Sequence, residues 1–282
     1  MPSCPDLSIV IVNYETSAMV RRCVASIARQ AVSAEIVIVD NGSADPEAVR
    51  YLEVLAGSSG ARVVRSDAPF NYAALCNLGV REARGPLVAL VNNDVEVISP
   101  HWLTELASLA LRPGVGLVGA TLYYPDLTLQ HAGVILGLNG VGDRPWIGTP
   151  RGFAGPYGRA RATREVGGVI TACAVVVRER YIAAGGMNES LAVSCNDLDL
   201  GLRLVRNGHR TVVSPYAELL HRESASRGLR DDPRNEARSR EEEARFATLW
   251  PRELRADPWY NPNLALAGTA YALAWPPRVP GR

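Results

Sequence analysis

The chain lacks the marks of several large protein classes. Its longest uncharged stretch, Pro258 to Pro277, holds four prolines and two asparagines. Proline removes a backbone donor and breaks the helical ladder, so this stretch cannot be a membrane-spanning helix. Net charge is nearly absent: 30 Lys and Arg against 29 Asp and Glu leave +1, which argues against nucleic acid as a partner. Cysteine is scarce and odd in number (Cys4, Cys23, Cys76, Cys173, Cys195), with no C-x-x-C pair. That is the pattern of a reducing compartment, not of a disulfide framework. "LSIVIVN" beside Asp6 makes neither the apolar region nor the cleavage site of a signal peptide. The expectation is a cytoplasmic protein, with contact at the inner face of a membrane left open.

Several nucleotide and hydrolase motifs are missing too: no Walker loop, no H-E-x-x-H, no G-x-S-x-G. Gly114 to Gly119 does spell G-x-G-x-x-G. A dinucleotide site needs a strand before that motif and a helix after it. Here a helical pattern (Trp102 to Leu111) precedes and strand-like "TLYY" follows, so the segment reads as an apolar strand with glycines.

What is present is a substantial core, with 47% of residues hydrophobic. Four β-rich runs, Leu7–Val12, Glu35–Val39, Ala61–Val64 and Leu87–Val91, alternate with helical patterns. The first helix would place Met19, Cys23 and Ile27 on one face, the second would open at Asp45-Pro46, and the third would span Tyr72 to Ala83. Such alternation predicts an α/β fold with a mostly parallel sheet covered by helices on both faces. Further on, strands are expected at Gly114–Tyr124, Gly167–Arg178 and Thr211–Val213, and helices at Ser194–Gly208 and Pro233–Trp250. From Arg222 onward charge dominates.

In parallel sheets ligands bind beyond the carboxyl ends of the strands. Those ends read "NYE" (Asn13–Glu15), "DNGS" (Asp40–Ser43), "RSDAPFN" (Arg65–Asn71) and "NNDVE" (Asn92–Glu96). "NNDVE" is either a turn, where Asn and Asp are at home, or a site for Mg²⁺ or Mn²⁺, which take one or two carboxylates and complete their shell with phosphates. "DNGS" is either a polar turn or a contact for a nucleoside. "NDLDL" puts Asp197 and Asp199 at the mouth of an amphipathic helix, where one acid suffices for capping. His221 is either structural or a ligand. The Gly-, Pro- and Arg-rich segment Asn139–Arg164, with Trp146, is either a substrate-facing loop or a surface excursion.

Taken in order, "SIVIVNYE", "VDNGS", "FNYAALCNLGVREARG", "LVNNDVEVISP", "LQHAGVILGLNGVG", "AAGGMNE", "NDLDLGLRLVRNGHR" and "SPYAELLHRESASRG" resemble family 2 glycosyltransferases over about residues 6–265. Tyr124 to Gly228 is especially similar to bacterial surface-polysaccharide members, including rhamnosyltransferases. The resemblance implies a GT-A fold: a domain over 1–222, with a nucleotide half of about 1–98 and an acceptor half of about 99–222, and an extension over 223–282 packing on or beside it. It implies that Asn13, Glu15, Asp40, Asn77, Asn93 and Asp94 contact the nucleotide. Asp94 and His221 would hold Mn²⁺ or Mg²⁺, with Asn92 standing where the D-x-D motif has its first acid, which weakens the metal site. Asp197 would be the general base, with Asn196 where many relatives carry Glu. Asp199, Arg222, Arg227, His131 and Trp146 are further candidates for substrate or phosphate contact. The implied reaction is inverting transfer of a sugar from a UDP- or dTDP-linked donor to a hydroxyl of a glycan or lipid-linked acceptor.

Two rivals stand beside this reading. A sugar nucleotidyltransferase would carry a Gly-rich loop after the first strand, and "VNYETS" has no glycine. A non-catalytic nucleotide- or glycan-binding module is kept in view by Asn92 and Asn196.

Overall fold

A computed structural model describes residues 6–15, 17–29, 34–58, 61–222 and 233–278. The chain runs β1 (Leu7–Asn13), α1 (Ser17–Ala28), β2 (Glu35–Asp40), α2 (Pro46–Ser58), β3 (Arg62–Arg65), α3 (Tyr72–Glu82), β4 (Leu87–Asn92), β5 (Val95–Val97), α4 (Trp102–Ala110), β6 (Val115–Tyr123), β7 (Leu129–His131), β8 (Ile135–Leu136), β9 (Gly142–Asp143), β10 (Arg164–Glu165), β11 (Cys173–Val177), α5 (Arg178–Ala183), α6 (Asn196–Arg206), β12 (Arg210–His221), α7 (Pro233–Leu249) and α8 (Pro251–Arg255).

Ten of these strands form one sheet whose main path is β10-β12-β6-β11-β4-β1-β2-β3, with β5 on β12 and β7 on β6. The β4-β1-β2-β3 block is parallel. β11 enters antiparallel between β4 and β6, and β12 is again parallel to β6. Strand residues alternate between two cores. Ile9 and Ile11 pack with Val20, Cys23 and Trp102 on one face. Val10 and Val12 pack with Cys76, Val80, Leu200 and Leu204 on the other. In α1 the buried stripe is Val20, Cys23, Val24 and Ile27, so Met19 sits one position off the expected face. A third cluster joins Leu198 and Leu202 of α6 to Phe246 and Trp250. Burial of Phe246 alone stabilises that contact by about 1.5–3 kcal/mol.

Helix ends follow local chemistry. Asn71 caps α3 by accepting from the Ala74 amide, and Asp45 accepts from the Glu47 and Ala48 amides at the start of α2. The G-x-G-x-x-G segment is strand β6. Its glycines serve close approach: a Cβ on Gly116 would lie 2.8 Å from the His209 Cβ, and one on Gly119 only 2.6 Å from the Val169 Cβ.

Three elements differ from the sequence expectation. Of Gly167–Arg178 only Cys173–Val177 is strand, because Gly168 bridges to Val134 instead of joining the ladder. The expected Thr211–Val213 strand is twelve residues long. Pro215 falls at an irregularity between Ser214 and Glu218, where a missing N–H costs no ladder bond, so the strand resumes and reaches His221. The Asn139–Arg164 segment divides: Val141, Gly142 and Arg144 line a cavity at the strand ends, whereas Trp146 stacks on Tyr271 at 5.1 Å with the rings nearly parallel.

Candidate active site

Two cavities open at the carboxyl ends of the parallel strands. The first, about 480 Å³, is lined by Asn13, Tyr14, Asn41, Phe70 and Asn93 among others. The second, about 720 Å³, is lined by Asp94, Arg144, Asp197 and His221 among others. Tyr72, Asn92, Asn235 and Arg238 line both, so the two form one cleft. Volumes of this size suit a nucleotide-sized ligand and its partner.

The wall built by β1, β2 and β4 is a closed polar network. Asn13 is buried, donates to Asp40 Oδ1 (3.1 Å) and accepts from Asn93 Nδ2 (3.0 Å). Asp40 also accepts from the Ser43 hydroxyl (2.5 Å) and the Ser43 amide (3.0 Å). Glu15, at φ 51°, accepts the Ala44 and Asp45 amides, each at 2.8 Å. Asp40 and Glu15 therefore tie strand ends together, and Asn13 and Asn93 are the members that face the cavity. Tyr14 and Phe70, both exposed, offer ring faces at its mouth. They escaped the sequence reading, although each sits inside a segment already marked as a strand end.

The opposite side is less self-satisfied. Asp94 is buried at the turn after β4, and its Oδ1 lies 3.3 Å from His221 Nε2. His221 ends β12, opposite Val95 of β5. Gln130 donates to the His221 carbonyl (3.1 Å) and turns its Oε1 to His221 Nδ1 (2.7 Å). That contact puts a ring hydrogen on Nδ1, so the neutral ring offers its Nε2 lone pair to the cleft. Asn92 Nδ2 donates toward Nε2 (3.3 Å), and Asn92 Oδ1 accepts from the Tyr72 hydroxyl (2.9 Å). Burial holds the Tyr72 phenol well above its ordinary value, with Cys76 and Asp197 adding to the effect, so it stays a donor.

Asp94 Oδ1 thus faces a second acceptor and takes no hydrogen bond among the described residues. Two buried acceptors 3.3 Å apart fit a shared divalent cation. No third His, Cys, Asp or Glu joins them among the described residues, so the rest of a metal's shell would come from water and phosphate oxygens. The amide at Asn92, in place of an acid, can donate to Nε2 where a carboxylate could not.

Asp197 lies in the first turn of α6, half-buried, and lines the second cavity with the Asp94–His221 pair. Its Oδ1 accepts from the Leu198 amide (2.8 Å). The residue before α6, Cys195, is left-handed at φ 62° and gives no side-chain cap. Burial, with Asp197 and the acids of α7 nearby, pushes the Cys195 thiol up. Asn196 points inward and donates to the Leu191 carbonyl (3.1 Å), a bond that Glu could not make. Asp199 is buried between Arg203 Nε (2.8 Å) and Trp250 Nε1 (2.9 Å).

Besides Glu15, Asp40 and Asp199, which line neither cavity, four expected contacts are not brought to the cleft. Asn77 bonds Met187, Glu189 and Tyr181 and clamps α3 to the segment after α5. His131 is fully buried, accepts the Gly133 amide and is held neutral by burial and by nearby Arg144 and Arg164. Trp146 is committed to Tyr271 and to Arg164, whose guanidinium lies 5.2 Å over its ring. Arg222 spends its Nε on Glu96 (2.9 Å). Arg227 lies outside the described residues.

Residues 8–178 match the family model for glycosyl transferase family 2, more than half of the chain, and the chain belongs to that family. It is 44% identical over 280 residues to the protein y4gI of Sinorhizobium fredii, covering 98% of this chain and 31% of that protein. It is 38% identical over 271 residues to the O-antigen biosynthesis protein RfbC of Myxococcus xanthus, covering 94% and 21%. The chain thus spans less than a third of these two relatives. A 29% identity over 243 residues links it to the N-acetylglucosaminyl-diphospho-decaprenol L-rhamnosyltransferase of Mycobacterium tuberculosis, covering 79% and 78%. Two solved structures share the fold. One is mannosyltransferase PcManGT from Pyrobaculum calidifontis in complex with GDP-Man and Mn²⁺ (TM-score 0.64, 15% identity, 89% of this chain and 65% of that one). The other is GalNAc-T7 with UDP, GalNAc and Mn²⁺ (0.69, 14%, 90% and 50%). The fold is GT-A, a mixed α/β architecture with a largely parallel central sheet. Among the described residues, no helix is long and apolar enough to cross a membrane.

Proposed function

We propose that this chain is an inverting glycosyltransferase that moves a sugar from a nucleoside-diphosphate donor to a hydroxyl of a glycan or lipid-linked acceptor in surface-polysaccharide assembly. One observation carries the reading. Asp197 and the Asp94–His221 pair line one cavity, and that cavity is continuous with a second one edged by Tyr14, Phe70, Asn13 and Asn93. A nucleoside in the first cavity would leave its sugar near Asp197 in the second.

The chemistry follows from the parts. The acceptor hydroxyl attacks the anomeric carbon while the bond to the β-phosphate oxygen breaks with its electron pair on oxygen. Asp197 takes the hydroxyl proton, an assistance typically worth about 10²–10⁴ in rate. A single displacement inverts the centre. Asp94 and His221 would hold Mn²⁺ or Mg²⁺, which when bound neutralises charge on the diphosphate. UDP- and dTDP-sugars are the favoured donors, and the mycobacterial relative supports rhamnose as the sugar. The extension after residue 222 would complete the acceptor side.

A thermal-shift panel of UDP, dTDP, GDP and CMP, each with Mn²⁺, Mg²⁺ or EDTA, tests this. Ligand at about 100 times its dissociation constant adds about 2.7 kcal/mol, a shift of about 5 °C for a chain of this size. The expected result is a metal-dependent shift with UDP or dTDP. A shift that survives EDTA unchanged would remove Asp94 from the donor site. No shift with any nucleotide would overturn donor binding.

A further inference from the structure

We propose that Arg238, reaching the cleft from α7, is a cationic contact for the donor's diphosphate at the junction of the two cavities. The proposal rests on the reading of the cleft as a nucleotide-sugar site.

Four residues line both cavities, and Arg238 is the charged one among them. A donor with its nucleoside in one cavity and its sugar in the other must pass its two phosphates through that junction. The guanidinium is poised there with bonding capacity unused. One Nη donates to Asn235 Oδ1 one turn earlier in α7 (3.0 Å). The Nε–H is buried and meets no acceptor among the described residues, and no described carboxylate pairs with Arg238. A buried donor without a partner calls for an explanation, and a guanidinium fork matches phosphate oxygens in geometry as well as charge. Among the described residues, the other cations near the cleft do not compete. Arg144 lines only the second cavity, and Arg222 is held by Glu96.

The mounting of Arg238 supports the same assignment. Glu242, one turn on and buried, accepts the Val193 amide (3.0 Å) and the Ser194 amide (2.5 Å). Ser239 bonds Ser194 (3.1 Å). Residues 193 and 194 lead directly into the turn that carries Asp197. The same helix therefore supports the cation at the leaving group and braces the segment that holds the base. As the anomeric bond breaks, its electron pair becomes charge on the β-phosphate oxygen, and Arg238 meets that charge while Asp197 receives the proton.

Calorimetric titration of UDP, UMP and uridine, and of dTDP, dTMP and thymidine, into the unaltered protein, Arg238→Ala and Arg238→Lys tests the assignment. Arg238→Ala is expected to weaken the nucleoside diphosphate by about tenfold or more. The nucleoside should bind as before, which also shows that the first cavity is intact. Arg238→Lys should recover part of the loss, since it keeps the charge and loses the fork. Equal diphosphate affinity in all three proteins would overturn the proposal. So would an equal loss for the nucleoside, which is the mark of a structural contact. Unchanged nucleotide binding with a weaker lipid-diphosphate acceptor would also overturn it, because the phosphate met by Arg238 would then be the acceptor's. If the unaltered protein binds neither UDP nor dTDP, the underlying nucleotide reading fails first and takes the proposal with it.

Discussion

The two walls of the cleft are built from similar residues and behave in opposite ways. On the β1–β2 side, Asn13, Asp40, Ser43, Asn93 and Glu15 use one another, so the carboxylates are occupied before any ligand arrives. On the β12–α7 side, Asp94 Oδ1 and Arg238 Nε are buried and make no hydrogen bond among the described residues. A saturated network rigidifies, whereas an unsatisfied buried polar atom is costly unless something else meets it. An acid at a strand end is therefore not evidence of ligand contact until its existing bonds are counted.

The strongest challenge to this contrast is Asp197→Asn. The change keeps shape and the Leu198 bond, so melting should hold within about a degree, while sugar transfer falls by about 10²–10⁴. Near-normal turnover from a folded variant would take the base away from Asp197. The next test applies one substitution to both walls. Asp40→Asn turns an acceptor of three hydrogen bonds into a mixed group facing donors, and urea denaturation should report a loss of about 2 kcal/mol. Asp94→Asn, measured in EDTA, removes a buried carboxylate whose Oδ1 takes no hydrogen bond among the described residues and should gain about 1 kcal/mol. Effects of the same sign would dissolve the distinction between the walls.

His131 sharpens the comparison from outside the cleft. Its Nδ1 is also buried without a partner, yet the ring lines neither cavity, so an unsatisfied atom gains meaning only from what it faces. Burial depresses its folded-state pKa. The unfolded chain therefore takes up a proton below about pH 6.5 that the folded chain does not. Its contribution is constant above that value, and stability should fall by about 1.4 kcal/mol per unit as pH drops below it. His131→Gln should flatten the slope by that amount in chemical denaturation at pH 5 to 7. An unaltered slope would mean that the ring titrates in the folded state.

Much of the sheet was legible because its strands are buried on both faces and read as apolar runs between Gly, Asn and Asp turns. Leu7–Asn13, Glu35–Asp40 and Leu87–Asn92 each extend the sequence reading by a single polar residue. β12 was cut short at Val213 in that reading, and its pairing with β5 and β6 shows that the strand resumes beyond Pro215. At the site, Asp94, His221 and Asp197 were named from the sequence and line one cavity. Asn77 was named on resemblance, and its amide turns out to be spent on Met187 and Glu189. Arg238 was invisible, because α7 is charged all round and nothing in its pattern says which arginine faces the sheet. Tyr14 and Phe70 were passed over for the acids and amides beside them.

The brace from Glu242 to Val193 and Ser194 has a consequence for assembly. Its partners are 49 and 48 residues apart in sequence, and the cleft draws on positions from Asn13 to Arg238. Contacts that span so much chain close late, after the local strand–helix units, because the loop entropy must be met before they return anything. During synthesis, α7 follows the last sheet strand out of the ribosome. Asn13, Asp94 and Asp197 can therefore be in place on a sheet that is still short of the helix carrying Arg238, and catalytic competence arrives with the final fifth of the chain. Loss of α7 by local opening would reverse that order, disarming the site before the sheet gives way.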